Sequence, residues 1–518
     1  MHRAFIALLV VMLLKATRTT TEPTGVLFLI SSQDTAYHRP LAARLRHDII
    51  NQAESQLDNT NYIVTVHILH EIFNFPSYWA IKNSMPLVRS KLLEEHTKWV
   101  VWLEESTHVS LLLLLEQLAL EDATQYIYLG HTLYEHQANI RHHFAFHKDS
   151  EWFPFPFQRA GIIFSRALII KTADEMEATN IYNSPFIIDM EHELAIYIYN
   201  QVKKNAFESK YSGKDPVGTK ELNTVRKVLM RKAHYICPLS GEETKTTLDE
   251  KCAMYAKPMD KSSCVTLRPQ NIFFAVKTCK RFHSDRMPII KATWGRIATH
   301  IRYYSDVADP KIPTTYTGIP NTEIGHCEKT LKILKLALQE IDELNMQLKN
   351  LVSERDERIY WLVLADDDTL ISIPNLCALL GCFNHTQEIY LGERYGFHQS
   401  INNGFNYITS GGGVAMSLPA VQKLIAYCHC IHPQDADDML LGICFNSLEV
   451  PIIHSPQFHQ LRPQDYSGEV LALDPPISFH KFYDTDPFAV YEQYFANFDR
   501  QMLQEIKNKS FTNQIATN

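Results

Sequence analysis

Asp366, Asp367 and Asp368 close an apolar run in "WLVLADDDTLIS" (361–372). Three adjacent carboxylates repel one another, so the stretch calls for a cation. An oxygen-rich cluster at a strand end suits a hard divalent ion, Mn2+ or Mg2+, which keeps positions open for waters or phosphate oxygens. Such an ion neutralises a departing diphosphate. The plainer reading is a solvated acidic turn that starts the next helix. A second acid pair, Asp437 and Asp438, also precedes an apolar run. There a helix start competes with a general base. His459 and His480 follow both pairs, and imidazole is a reasonable partner for Mn2+. Gly411, Gly412 and Gly413 let backbone approach a ligand closely, or simply mark a loop.

Strands must carry these groups. "IFFAVKT" (272–278) and "IYWLVLA" (359–365) are apolar, β-rich and of strand length. Between them "SDRMPIIKATWGRIATHIRYY" (284–304) reads as helical. "TLKILKLALQEIDELNMQLKNLV" (330–352) places apolar residues at helical spacing with no Gly or Pro. Alternating strands and helices predict an α/β fold with a mostly parallel sheet. In such sheets ligands bind beyond the carboxyl ends of the strands, which is where the three acids lie.

The acidic stretch has a near-copy 262 residues earlier, "WVVWLEESTHVS" (99–110). Trp99 aligns with Trp361, Thr107 with Thr369, and Ser110 with Ser372; "QYIYLG" (125–130) aligns with "QEIYLG" (387–392) at the same offset. Three further pairs keep the order at other offsets: "VLFLISS" (26–32) with "IFFAVKT", "AGIIFSR" (160–166) with "GGVAMSL" (412–418), and "DMEHELAIYI" (189–198) with "DADDMLLGIC" (435–444). The chain therefore reads as two copies of one domain. The first copy has Glu104, Glu105 and Ser106 against the three acids. It keeps Glu193 at the place of Asp438, retains Gly161 from the glycine triplet, and has no evident counterpart of His459.

Bulk properties set the context. A chain of 518 residues exceeds one ordinary core. Its net charge of −8 and lack of a long basic run give no support to a nucleic-acid partner. The start "MHRAFIALLVVMLLKATRTTTEP" has a basic residue, a short apolar stretch and then small polar residues, and reads as a signal peptide over 1–22. No later stretch reaches about 18 apolar residues, so no transmembrane segment is expected after cleavage. All ten cysteines lie after residue 236 and are expected to pair as disulfides in an oxidising lumen. Asn384 and Asn508 open glycosylation sequons.

Five ordered motifs in the second copy resemble the fringe-like β-1,3-glycosyltransferase family. They are "FFAVKTCKRFHSDRMPIIKATWGR" (273–296), "WLVLADDDT" (361–369), "YITSGGGVAMS" (407–417), "ADDMLLG" (436–442) and "SPQFHQLRP" (455–463). "HSPQFHQLRP" followed by "PISFHK" (476–481), with a degenerate copy upstream, is most similar to family members that add glucose to O-linked fucose on thrombospondin type 1 repeats. The resemblance implies two tandem glycosyltransferase-A-like, Rossmann-like α/β domains. The degenerate one spans 24–204, a linker 205–268, the catalytic one 269–498, and a polar tail 499–518. It implies an inverting transfer from UDP-glucose with Mn2+ (or Mg2+). Asp368 and His459 would hold the metal, with His480 as runner-up. Asp366 and Asp367 would lie beside the uridine ribose and diphosphate, Thr278 and Arg286 would contact the nucleotide, and Gly412 and Gly413 the sugar. Asp438 would be the general base, in preference to Asp437. Thr293 and Trp294 match the family's helix signature, with Trp294 expected in the core. Lacking both metal ligands, the first copy is expected to be catalytically silent, and either to hold the acceptor or to support its neighbour. UDP-galactose and UDP-N-acetylglucosamine are the alternative donors, and a non-enzymatic glycan binder is the alternative class. The resemblance implies an endoplasmic reticulum lumen location, although the terminal "IATN" is not a KDEL-like signal.

Overall fold

The computed structural model describes residues 22–58, 60–134, 153–179, 186–211, 228–238, 251–349, 357–399 and 403–505. The leader read at 1–22, apart from its last residue, lies outside them, as does the Asn508 sequon. The chain divides into two compact units, 1–259 with 398–403, and 260–397 with 404–518.

In the second unit a seven-stranded sheet runs Thr314–Tyr316, His300–Ser305, Ile272–Lys277, Trp361–Asp366, Val414–Ser417, Tyr390–Gly392, Ile452–His454. Only Val414–Ser417 runs against the others. The sheet is thus mixed and mostly parallel, as the strand–helix alternation predicts. One face packs Phe273, Ala275, Leu362, Leu364 and Met416 against the helices Cys327–Lys349, Leu418–Tyr427 and Asp437–Ser447. The first of these helices buries Ile333, Leu334, Ala337 and Ile341, the stripe visible in the sequence. At about 2 kcal/mol per buried large apolar side chain, this face anchors the strands whose ends carry the acids.

The first unit has a six-stranded sheet in the order Tyr62–Ile68, Thr24–Ser31, Thr97–Glu104, Ile162–Ser165, Tyr128–Gly130, Arg231–Lys232. Again one strand is reversed, Ile162–Ser165. Removing the edge strand Thr314–Tyr316 makes the two orders equivalent strand for strand. Trp99 faces Ser165 as Trp361 faces Ser417. The Ser165 hydroxyl accepts the Ile127 N–H at 3.0 Å and donates to the Gln125 carbonyl at 2.7 Å. The Ser417 hydroxyl does the same with Ile389 at 2.9 Å and Gln387 at 2.6 Å.

Several expectations change. The stretch 284–304 is not one helix. It gives a short helix, Met287–Ala292, a 3-10 turn, Trp294–Arg296, and then the strand His300–Ser305. The strand wins because "HIRYYS" is rich in aromatic and β-branched residues and pairs along Ile272–Lys277. Part of the span read as linker is structured: Arg231–Lys232 extends the first sheet, Met254–Ala256 pairs with Thr107–Val109, and Cys237 bonds Cys252. Beyond Asp499, residues to 505 are helical. Eight cysteines pair, the other three bonds being Cys264–Cys382, Cys327–Cys430 and Cys428–Cys444. Cys279 and Cys377 remain buried thiols, so not all ten pair.

Candidate active site

Three segments distant in sequence meet at the carboxyl ends of the central strands. Ile272–Lys277 delivers Lys277 and Thr278, and Trp361–Asp366 delivers the three acids. The strand Ser478–His480 pairs antiparallel with Thr369–Ile371, with His480 opposite Thr369. That register sets the His480 ring beside the acids. Its Nε2 lies 3.1 Å from Asp368 Oδ1 and 3.9 Å from Asp366 Oδ2. Nδ1 lies 2.9 Å from the Gln460 carbonyl, so an Nδ1–H donated there leaves Nε2 to face the acids. One donor atom from each of Asp366, Asp368 and His480 falls within 4.8 Å of the others. Two carboxylates and an oriented imidazole fit Mn2+ or Mg2+ by donor chemistry.

His459, expected as the metal ligand, stands outside this set. Its Nδ1 lies 3.0 Å from the Ser478 carbonyl. Its ring stacks on Phe479 and meets Tyr466 edge-on. The reason is strand pairing: the segment that crosses back beside the acids carries residue 480, and His459 supports it from the core. His480, the runner-up, is the histidine that lies with Asp366 and Asp368.

Burial opposes charge on Asp368, but His480 and Arg286 outweigh it and hold the carboxyl at about 2. Burial pushes Asp367 up to about 6, against the pull of Thr278 and Arg286. The Thr278 hydroxyl donates to Asp367 Oδ2 at 2.7 Å. Arg286 Nη1 lies 2.7 Å from Asp367 and 3.0 Å from Asp368, with the guanidinium 3.7 Å above the Phe282 ring centroid. Both expected nucleotide residues therefore converge on the acidic turn.

Sequence reasoning overlooked Lys277. This buried amine sits 2.6 Å from Asp437 Oδ2 and 3.1 Å from Asp366 Oδ1, bridging the two acid groups. The only sequence signal was a charge ending an apolar strand in "AVKT". Thr330 donates to Asp437 Oδ2 at 2.6 Å. Despite burial, Lys277 holds Asp437 below the usual carboxylate range. Asp438 behaves oppositely: burial, then the neighbouring Asp437 charge, push it up to about 7. It accepts the Met439 N–H at 2.8 Å, and the pull of Lys277 only partly offsets the rise. Two adjacent carboxylates thus diverge, one locked as an ion and one tuned to exchange a proton near neutrality. Both occupy the first turn of Asp437–Ser447, so the helix-start reading also holds. The bond Cys428–Cys444 ties this helix to the segment before it.

The glycines make room for the chain's own groups. A Cβ on Gly411 would lie 2.4 Å from the His480 ring, and one on Gly412 would lie 3.2 Å from Gln460 N. Gly413 has φ +91°. Trp294 is fully buried, as expected, and donates its indole N–H to the Thr369 carbonyl at 3.0 Å. A groove of about 520 Å³ opens on Asp368, lined by Asp285, Arg286, Ile289, Lys481, Phe482 and Tyr483.

The first unit fills the equivalent place differently. Thr107 donates to the Arg159 carbonyl at 3.0 Å, as Thr369 donates to that of Gly411 at 2.8 Å. Where the second unit has a glycine, the first has an arginine. The Arg159 guanidinium lies 3.3 Å from the Ser106 hydroxyl, 3.1 Å from the Lys257 carbonyl and 3.7 Å from Glu104. Burial pushes Glu105 up to about 8 and Glu193 up to about 7. One Glu193 oxygen accepts the N–H groups of Ile188 at 2.8 Å and Asp189 at 3.3 Å.

A family model described as Fringe-like matches residues 267–502. The human β-1,3-glucosyltransferase is 35% identical over 492 residues, covering 95% of this chain and 89% of its own. The chain belongs to the fringe-like β-1,3-glycosyltransferase family. The mouse β-1,3-glucosyltransferase is 35% identical over 467 residues, covering 90% of this chain and 85% of its own. Chicken lunatic fringe, a β-1,3-N-acetylglucosaminyltransferase, is 28% identical over 217 residues, covering 37% of this chain and 56% of its own. Membership makes the protein a glycosyltransferase and removes the non-enzymatic reading. Coverage of 95% also carries the glucosyltransferase likeness into the first unit.

Proposed function

We propose that the protein is an inverting β-1,3-glucosyltransferase that moves glucose from UDP-glucose to the 3-hydroxyl of O-linked fucose on thrombospondin type 1 repeats. One observation carries the reaction type: Lys277 joins the Asp366–Asp368–His480 cluster to the Asp437–Asp438 pair, so a cation site and a tuned base share one buried network. Asp366, Asp368 and His480 would hold Mn2+ or Mg2+, which supplies neutralisation of the diphosphate as it leaves. Asp438 takes the proton from the acceptor hydroxyl as the new bond forms. Lys277 and Thr330 keep Asp437 ionised and fixed, and so hold Asp438 in its proton-accepting range. Thr278 and Arg286 position Asp367 and face the nucleotide. The choice of glucose over galactose or N-acetylglucosamine is supported by whole-chain likeness to the glucosyltransferases, against partial likeness to lunatic fringe.

The first unit is read as a silent copy of the same glycosyltransferase-A-like domain, its cation place taken by Arg159. A luminal location in the secretory pathway, in the endoplasmic reticulum, is supported by four disulfides and the exposed sequon at Asn384. The test is a donor screen on an O-fucosylated repeat, with and without Mn2+, the product linkage being determined. A β-1,3-glucosyl product lost in Asp368→Ala is expected. Preference for another donor replaces the glucose assignment, and metal-independent transfer overturns the mechanism.

A further inference from the structure

Lys481 lies in the groove that opens on Asp368, directly after His480. Its backbone has φ +73°, a left-handed conformation that a long side chain rarely adopts and that persists only where the surroundings over-determine it. Here they do. The Lys481 N–H donates to the Asp368 carbonyl at 3.1 Å. Two residues on, the Tyr483 carbonyl accepts from Arg462 Nη1 at 3.1 Å, and Arg462 is itself braced by Asp465 at 2.9 Å. The Asp486 side chain then caps the next helix through the Phe488 N–H at 2.9 Å. The turn after His480 is therefore pinned to the acidic turn at one end and to the Arg462–Asp465 pair at the other.

This pinned, unfavourable backbone sets a lysine on the wall of the groove. Two cations line that wall, Arg286 and Lys481. Arg286 is committed to Asp367 and Asp368. No carboxylate pairs with the Lys481 amine among the described residues. A groove of about 520 Å³ is within the size range of small-ligand sites. An uncommitted ammonium beside a carboxylate cluster is a ready partner for the oxygens of an anion that also reaches that cluster.

We infer that Lys481 binds the diphosphate of the nucleotide donor, so that the groove distinguishes a nucleoside diphosphate from a monophosphate. The inference rests on the nucleotide-sugar reading of the site. It makes Lys481 a binding residue with a point charge aimed at phosphate oxygens, and it explains why the turn tolerates a lysine where glycine would be less strained.

The test is calorimetric binding of UDP and of UMP to the full chain with Mn2+ present, using Lys481→Gly and Lys481→Arg. Glycine adopts the positive φ without cost, so it removes the charge and leaves the turn. In Lys481→Gly, UDP affinity falls about tenfold or more, UMP affinity stays nearly constant, and Mn2+ affinity without nucleotide is unchanged. Lys481→Arg keeps most of the preference for UDP. Undiminished UDP binding in Lys481→Gly overturns the inference, as does equal weakening of UDP, UMP and Mn2+, which marks a structural role. If the unsubstituted chain does not bind UDP at all, the nucleotide-sugar reading falls and takes this inference with it.

Discussion

Replacing His480 by alanine separates the two histidines most directly. The His480 Nε2 sits 3.1 Å from Asp368 and is oriented by the Gln460 carbonyl at 2.9 Å. Its loss removes one of three protein donors and leaves Asp366 and Asp368 facing each other with less compensating charge. Disturbing only the groups that orient a metal ligand typically costs about 10–100-fold in affinity. Deleting the ligand itself should cost at least the upper end, about 2.7 kcal/mol. Mn2+ titration followed by electron paramagnetic resonance on the full chain reads this directly, and a Mn2+ dependence of transfer shifted to higher concentration reads it again. His459→Ala is the matched control. It removes a ring stacked on Phe479 and a contact with the Ser478 carbonyl, so it lowers stability by about 2 kcal/mol while Mn2+ affinity is largely kept. The reasoning is refuted if His480→Ala binds Mn2+ normally and His459→Ala does not.

Three further outcomes are expected. Asp438→Asn lowers transfer by about 10²–10⁴-fold with UDP and Mn2+ binding retained; because burial places the Asp438 carboxyl at about 7 and the base acts when deprotonated, kcat/KM in the unsubstituted enzyme climbs with pH to that value and then levels off. Lys277→Met strips the cation from the buried Asp437 and the half-buried Asp366 and destabilises the fold by about 3–5 kcal/mol, read as a lowered denaturant midpoint; a double substitution with Asp437→Leu recovers much of this loss but not activity. Gly411→Ala drives a methyl group into the His480 ring, so Mn2+ affinity falls by about tenfold or more in a protein whose circular dichroism is unchanged.

What the sequence made legible follows from the range of the physics involved. The strand Trp361–Asp366 and the helix Cys327–Lys349 were readable because their periodicity is local. The repeat was readable because Trp99, Thr107 and Ser110 recur at matched spacing as Trp361, Thr369 and Ser372, and in a further pair of segments Ser165 and Ser417 make equivalent hydrogen bonds. The stretch 284–304 was misread because a six-residue helix and a strand share one amphiphilic run, and only pairing with Ile272–Lys277 separates them. The choice between His459 and His480 depends on a register, Thr369 opposite His480, that joins segments more than a hundred residues apart. No spacing along the chain encodes that. Lys277 was overlooked because a lysine ending a strand looks solvated until its two partners are brought to it. Cys279 and Cys377 show the same limit, since pairing is decided by proximity in the fold.

Arg159 has a consequence for how the two halves respond to their medium. Its guanidinium is a covalently tethered counter-ion that cannot be dialysed away, whereas any ion at Asp366, Asp368 and His480 is exchangeable. A chelator should therefore act on the Asp366–Asp368–His480 cluster and find no ion to extract at the place that Arg159 fills. Restoring an aspartate at position 106 alone would merely give the arginine another anion to hold.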